Sequence, residues 1–217
     1  MTNEELRQLA AQLRQPSGED GLKTAELMRD TNASMIRHAI SQLELKNNDF
    51  VLELGHAAGA HVSWLFDMCP GIQYTGLEIS PLMHEEATKN NSTHIQNNRA
   101  SFHLYGGSNI PFEANTFHKI FSVNTIYFWD NPIEMAAELA RVLQPGGLLC
   151  ITFGEEAYMK HMPFTAYGFT LYNTHQVTDL FALAGLTLIH SPSANEVIKS
   201  KTGEEITRQY TTAVFTK

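Results

Sequence analysis

Two carboxylates, Glu53 and Glu78, each close a short apolar run, and between them lies the turn Gly55-His56-Ala57-Ala58-Gly59. An acid at the end of an apolar strand differs from an ordinary surface acid, because its neighbours bury the chain on which it stands. In a nucleotide-binding α/β unit, small residues in the turn let the backbone approach a ligand closely. An acid at the end of the second strand, here Glu78 with Ile79 beside it, can accept both ribose hydroxyls. A ribose-bearing cofactor is therefore expected. A nicotinamide fingerprint requires G-x-G-x-x-G, so that a pyrophosphate can rest on the helix N-terminus. The turn lacks that spacing, which leaves a nicotinamide-dependent oxidoreductase as a lesser reading.

Glu53-x-Gly55-x-Ala57-x-Gly59 resembles motif I of the class I S-adenosylmethionine-dependent methyltransferases, E/D-x-G-x-G-x-G, with Ala57 where the middle glycine is common. A carboxylate near the cationic methionine end of that cofactor is electrostatically favourable. Further along, Gly106-Gly107-Ser108-Asn109-Ile110-Pro111-Phe112 followed by Phe117 to Val123 is similar to the family's G-D-A-x-x-L-P-F…F-D-x-V arrangement. Gln144-Pro145-Gly146-Gly147 resembles its L-x-P-G-G element. The resemblance runs from about residue 50 to 153, more loosely to the C-terminus, and is of the small-molecule type similar to the ubiquinone/menaquinone-biosynthesis group. It implies S-adenosylmethionine as methyl donor and S-adenosylhomocysteine as product. Glu53, Gly55, His56, Ala57 and Gly59 would then pass under the methionine and ribose portions, and Glu78 and Ile79 would hold the ribose. Gly106 stands where the family often has an adenine-binding aspartate, so Ser108 and Asn109 are expected to approach the adenine instead.

The segment after the fourth strand, Asn124 to Asp130, should border the methyl group and the acceptor, because ligands of open α/β sheets sit outside the carboxyl ends of the strands. Asn124 and Tyr127 are the candidates to line the transfer site. No N-P-P-Y sequence is present, which argues against methylation of an adenine or glutamine amide. His161 is a candidate general base, beside the alternative that it is a solvated loop side chain. It lies in an aromatic and methionine cluster, Tyr158, Met159, Met162, Phe164, Tyr167, Phe169 and Tyr172. That cluster reads either as a lid over a small, partly apolar acceptor or as a satellite core. Ala57 and Gly106 also motivate a cofactor-binding regulatory pseudoenzyme as the alternative function. His56 and His61, five apart across a turn-helix junction, make a poor metal site, and none is assigned.

These residues must be positioned by an alternating pattern. Expected strands cover 50–54, 73–77, 100–104, 118–123 and 148–153, with helices at 60–68, 81–90 and 132–143. Thr174 is expected to cap a helix that stops at Gly185, before strands at 186–190 and 210–216. This is an α/β, Rossmann-like, seven-stranded and mostly parallel sheet with an antiparallel C-terminal strand and helices on both faces. Leu6, Leu9, Ala10 and Leu13, then Met28, Met35, Ile36, Ile40 and Leu43, place two helices before the sheet. Residues 1–48 form a helical cap or lid, and 49–217 the cofactor-binding domain. Ser191 to Gly203 reads as a polar connection, and Lys199, Lys201 and Arg208 as a solvated loop.

The 217 residues suit one domain, and the formal charge of −8 argues against a nucleic-acid partner. An acidic N-terminal stretch and the lack of any apolar run near ~18 residues lead to the expectation of a soluble, cytoplasmic protein without a membrane span. Cys69 and Cys150 suit reduced, packed thiols. Oligomeric state is not legible.

Overall fold

The structure is a computed structural model that describes residues 1–199 and 205–217. Its centre is an eight-stranded sheet in the order β3-β2-β1-β4-β5-β8-β6, with β7 also paired to β8. The strands are β1 Phe50–Leu54, β2 Gln73–Glu78, β3 Ala100–Leu104, β4 Phe117–Val123 and β5 Leu143–Gly154, followed by β6 Thr187–His190, β7 Ser193–Lys199 and β8 Glu205–Thr216. The first five pair in parallel, and β8 runs antiparallel to β5, β6 and β7. The expected antiparallel insertion beside the fifth strand is present.

Among the described residues there are eight α-helices: α1 Asn3–Arg14, α2 Gly18–Ser41, α3 Val62–Met68, α4 Pro81–Asn90, α5 Ser92–Gln96, α6 Pro132–Val142, α7 Glu156–Met159 and α8 Thr174–Leu183. Local signals explain their ends. Thr2 and Glu5 form a reciprocal capping box on α1, and Asn131 caps α6, whose first turn holds Pro132. α8 is capped by Asn173, in a box with Gln176, rather than by Thr174. Thr174 instead turns its hydroxyl to Glu155.

Period-two alternation assigns the strands to two apolar layers. Leu52, Leu54 and Leu77 meet Leu139 and Phe181 from α6 and α8. Val51 and Tyr74 meet Met35 and Ile40 of α2 and Val62 and Leu65 of α3. Helices thus cover both faces of the sheet, as parallel strands require.

Two further expectations need correction. The sheet has eight strands rather than seven, because Ser193–Lys199 of the supposed polar connection pairs with β8, Ser193 opposite Thr211 and Lys199 opposite Glu205. An edge strand with one wet face carries enough polar residues to read as a loop. Arg208 is not a solvated loop residue: it is buried in β8, where its guanidinium pairs with Glu196 and donates to the Thr31 carbonyl of α2. α6 ends at Val142, and Pro145-Gly146-Gly147 lies within β5, with Gly146 at φ +76°, where the β4 pairing slips register between Phe117 and Lys119. Lys201 lies outside the described residues.

Candidate cofactor and acceptor site

A cavity of about 550 Å³ opens at the carboxyl ends of β1, β2 and β4, within the range of small-molecule and cofactor sites. Its floor is the turn after β1. Gly55 sits at φ +81°, where an added Cβ would drive into Thr125 Cγ2, so this position needs glycine for conformation and for space. Ala57 also adopts a left-handed φ, +48°, at a cost that an L-residue normally avoids. Its N–H donates to Glu78 Oε2 at 2.9 Å, which helps hold it there.

Glu78 is buried, and its other oxygen accepts from the N–H groups of Ile79 at 2.8 Å and Ser80 at 3.0 Å. Burial raises its pKa and the nearby Glu53 charge adds to this, while the three N–H donors oppose the rise. A carboxylate offers about four acceptor sites, so three backbone donors leave Oε2 room for about one more.

Glu53, also buried, presents a different pattern. His61 Nε2 lies 2.7 Å from its Oε2, and the Tyr74 phenol donates to the same oxygen. Oε1 is left for a ligand in the cavity that Glu53 lines. Register explains the contact with Tyr74: Glu53 lies opposite Gly76, and Tyr74 is the diagonal neighbour on the same face. Gly76 has no side chain to separate them. Burial and the negative charge of Glu53 both raise the Tyr74 phenol well above its ordinary pKa, which keeps it a donor. His61 precedes α3 without capping it, since its side chain turns to Glu53.

His56 is 1 % exposed, with Nδ1 2.7 Å from the Ala57 carbonyl and Nε2 unpartnered. Burial lowers its pKa to about 4, so it is neutral near pH 7.

α1 and α2 roof the cavity. The Ser80 hydroxyl donates to the Pro16 carbonyl at 2.6 Å, Gln15 donates to the Ile79 carbonyl at 2.9 Å, and Arg14 pairs with Asp130 at 2.6 Å. Farther along α2, Asn32 accepts from the Asn124 amide at 3.1 Å. Ser34 and Arg208 both bond Glu196, which fixes α2 to β7 and β8.

Glu53, Gly55, His56, Ala57, Gly59, Glu78, Ile79 and Asn124 all line this one cavity. Ser108 and Asn109 do not: the chain passes the cavity at Tyr105, Gly106 and Gly107, turns at Gly107 with φ +85°, and carries the next two residues outward to solvent. Tyr127 is placed behind the wall rather than in it. Its phenol accepts from the Gly154 N–H and approaches Asn124 Oδ1 at 3.1 Å, and burial raises its pKa. His161 is exposed and away from the cavity. The aromatic cluster around it packs inward instead: Phe169 meets Phe128 at 4.5 Å and Tyr127 at 5.7 Å, and Arg7 of α1 lies 5.0 Å over Tyr167. His61, Tyr74 and the individual α2 residues Arg29, Asn32 and Arg37 were not anticipated from sequence, although a helical cap was; same-face parity with Glu53 would have indicated Tyr74 once the register was known.

The family model described as a methyltransferase domain matches residues 52–151. An O-methyltransferase, resE, of Aspergillus sclerotiorum is 24 % identical over 126 residues, 58 % of this chain and 47 % of its own length. The chain spans about half the length of the first curated relatives it matches. Among solved structures, a Haloferax volcanii methyltransferase in complex with the Trm112 methyltransferase activator superposes with a TM-score of 0.76 at 19 % identity, covering 100 % of this chain and 99 % of that one. The [4+2]-cyclase SpnF superposes at 0.68 with 15 % identity, over 85 % of this chain and 80 % of its own. Residues 52–151 thus match a methyltransferase domain, and the fold of the chain is the one these solved structures share. The cyclase shows that a shared fold does not by itself fix the reaction.

Proposed function

We propose that this chain transfers the methyl group of S-adenosylmethionine to a small, partly apolar acceptor held between the glycine turn and α2. The observation that carries the reading is the pair of buried acids on the floor of one cavity, Glu53 with Oε1 free and Glu78 with room on Oε2, with the turn Gly55 to Gly59 between them. Glu78 would accept a ribose hydroxyl, and Glu53 would face the ammonium of the methionine portion. Tyr105, Gly106 and Gly107 would border the adenine. When bound, the cofactor supplies an electrophilic methyl group on a sulfonium, so the protein has chiefly to align the acceptor and exclude water. Met28, Ile36 and Phe128 give the cavity its apolar wall.

Residues 1–48 act as the cap, supported by the Arg14, Gln15 and Pro16 contacts across the cavity rim. The test is incubation with methyl-labelled S-adenosylmethionine and a panel of small apolar alcohols, amines and acids. Labelled product in wild type and its loss in Glu78→Ala are expected. Tight cofactor binding with no transfer to any acceptor would favour the regulatory reading.

A further inference from the structure

We propose that the acceptor carries an anionic group, a carboxylate or phosphate, met by Arg29 and Arg37 on the cavity face of α2. The inference rests on the methyl-transfer reading and names the class of its acceptor.

Most charges lining the cavity are already committed. Glu53 is bonded by His61 and Tyr74, Glu78 by three backbone N–H groups, and Arg14 and Asp130 bond each other. Two guanidinium groups remain. Arg37 has no carboxylate partner among the described residues; its Cζ lies 5.7 Å from the Trp64 ring centroid, a contact that leaves its N–H donors without an anion. Arg29 touches only Asp30, beside it in sequence and outside the cavity wall, at 3.0 Å with both side chains mostly exposed. Such a pair is a weak competitor for a ligand.

Residues 29, 33 and 37 form one stripe of α2 by their i, i+4, i+8 spacing, with Met28 and Ile36 beside them. The cavity roof is therefore an apolar band with a cation toward each end, Arg37 without a carboxylate partner among the described residues and Arg29 held only by an exposed pair. A cationic acceptor would be repelled there, and a neutral one would leave both forks unused. The donor's own carboxylate has the same chemistry, but the two arginines are about 12 Å apart along the helix, room for two separate anions.

The test is thermal shift on the full chain saturated with S-adenosylhomocysteine, adding octanoate or phenyl phosphate and, in parallel, 1-octanol or phenol. Wild type is compared with Arg29→Gln/Arg37→Gln, and the nucleoside's Kd is measured on both by calorimetry. The acids should raise Tm by about 2 °C or more beyond their neutral counterparts. That difference should vanish in the double variant, with the nucleoside Kd changed by less than about threefold. An equal response to the neutral compounds, no response to the acids, or an acid response that persists in the variant would overturn the proposal. A nucleoside Kd raised about tenfold with the acid response intact would assign the arginines to the donor instead. If wild type failed to bind the nucleoside, the donor reading would fall, and titration of the same acids without it would decide the arginines' role by the same outcomes.

Discussion

His56 shows how the fold sets the chemistry of a single residue. Its ring fills the space left by Gly76 and lies edge-on to Phe102, 4.9 Å between centroids. With its pKa lowered from 6.5 to about 4, the unfolded chain binds more protons between those values than the folded one. Stability from this group is therefore full above about pH 6.5 and is lost as pH falls through that window, by about 3 kcal/mol in all. Burial moves the Glu78 carboxyl upward, which has the opposite sign, so the comparison must isolate the histidine. Denaturant unfolding of His56→Gln between pH 7 and pH 4 should show a flatter stability curve than wild type. Identical slopes would remove the histidine from the acid response. At Gly55, alanine adds a Cβ against Thr125 and holds φ +81°, and should cost about 2 to 4 kcal/mol by the same measurement.

Among the elements, α2 joins the site to the far edge of the sheet. It contributes the cavity roof through Arg29, Asn32 and Arg37, and it is fixed to β7 and β8 by the Arg208–Glu196 pair and Ser34. Removing one partner of a largely buried ion pair leaves the other uncompensated. Arg208→Ala should thus lower stability by about 2 to 3 kcal/mol, near the low end for buried pairs because both side chains keep some exposure. A parallel hydrogen-exchange measurement should show faster exchange in α2 amides near Thr31. Unchanged exchange there would mean that the pair does not anchor the helix. The parallel core and its helices were legible in sequence because β1 and β4 carry short apolar stretches, Val51 with Leu52 and Ile120 with Phe121, and α6 carries a clear stripe with Pro132 at its start. β7 was not, because it alternates polar residues and no local signal marks the residues it meets, although it pairs with the next strand. Arg208 was misread for the same reason: nothing local marks Glu196 and Thr31 as its neighbours.

For the whole molecule, the cavity at the carboxyl end of the sheet was legible from Glu53, the glycine turn and Glu78, which share one strand-turn-helix-strand unit and line it together. The outer reaches of the site were less so. Ser108 and Asn109 were expected at the adenine from the family resemblance, yet the turn at Gly107 sends them to solvent, and backbone sign at a glycine is not written in the sequence. Tyr127 looked suited to the transfer site until the Gly154 N–H claimed its phenol. Among the described residues no helix is long and apolar enough to cross a membrane. A ligand that binds only the folded chain stabilises it by about 2.7 kcal/mol at a hundred times its Kd. S-adenosylhomocysteine should therefore raise Tm, and NADH should not. The central claim is that Glu78 and the glycine turn hold an adenosyl cofactor, and calorimetric titration of S-adenosylmethionine into wild type and Glu78→Ala tests it most directly. Saturable binding to wild type, weakened about tenfold or more in the variant, is the predicted result. Equal affinity in the two proteins, or binding of NADH in place of S-adenosylmethionine, would contradict it.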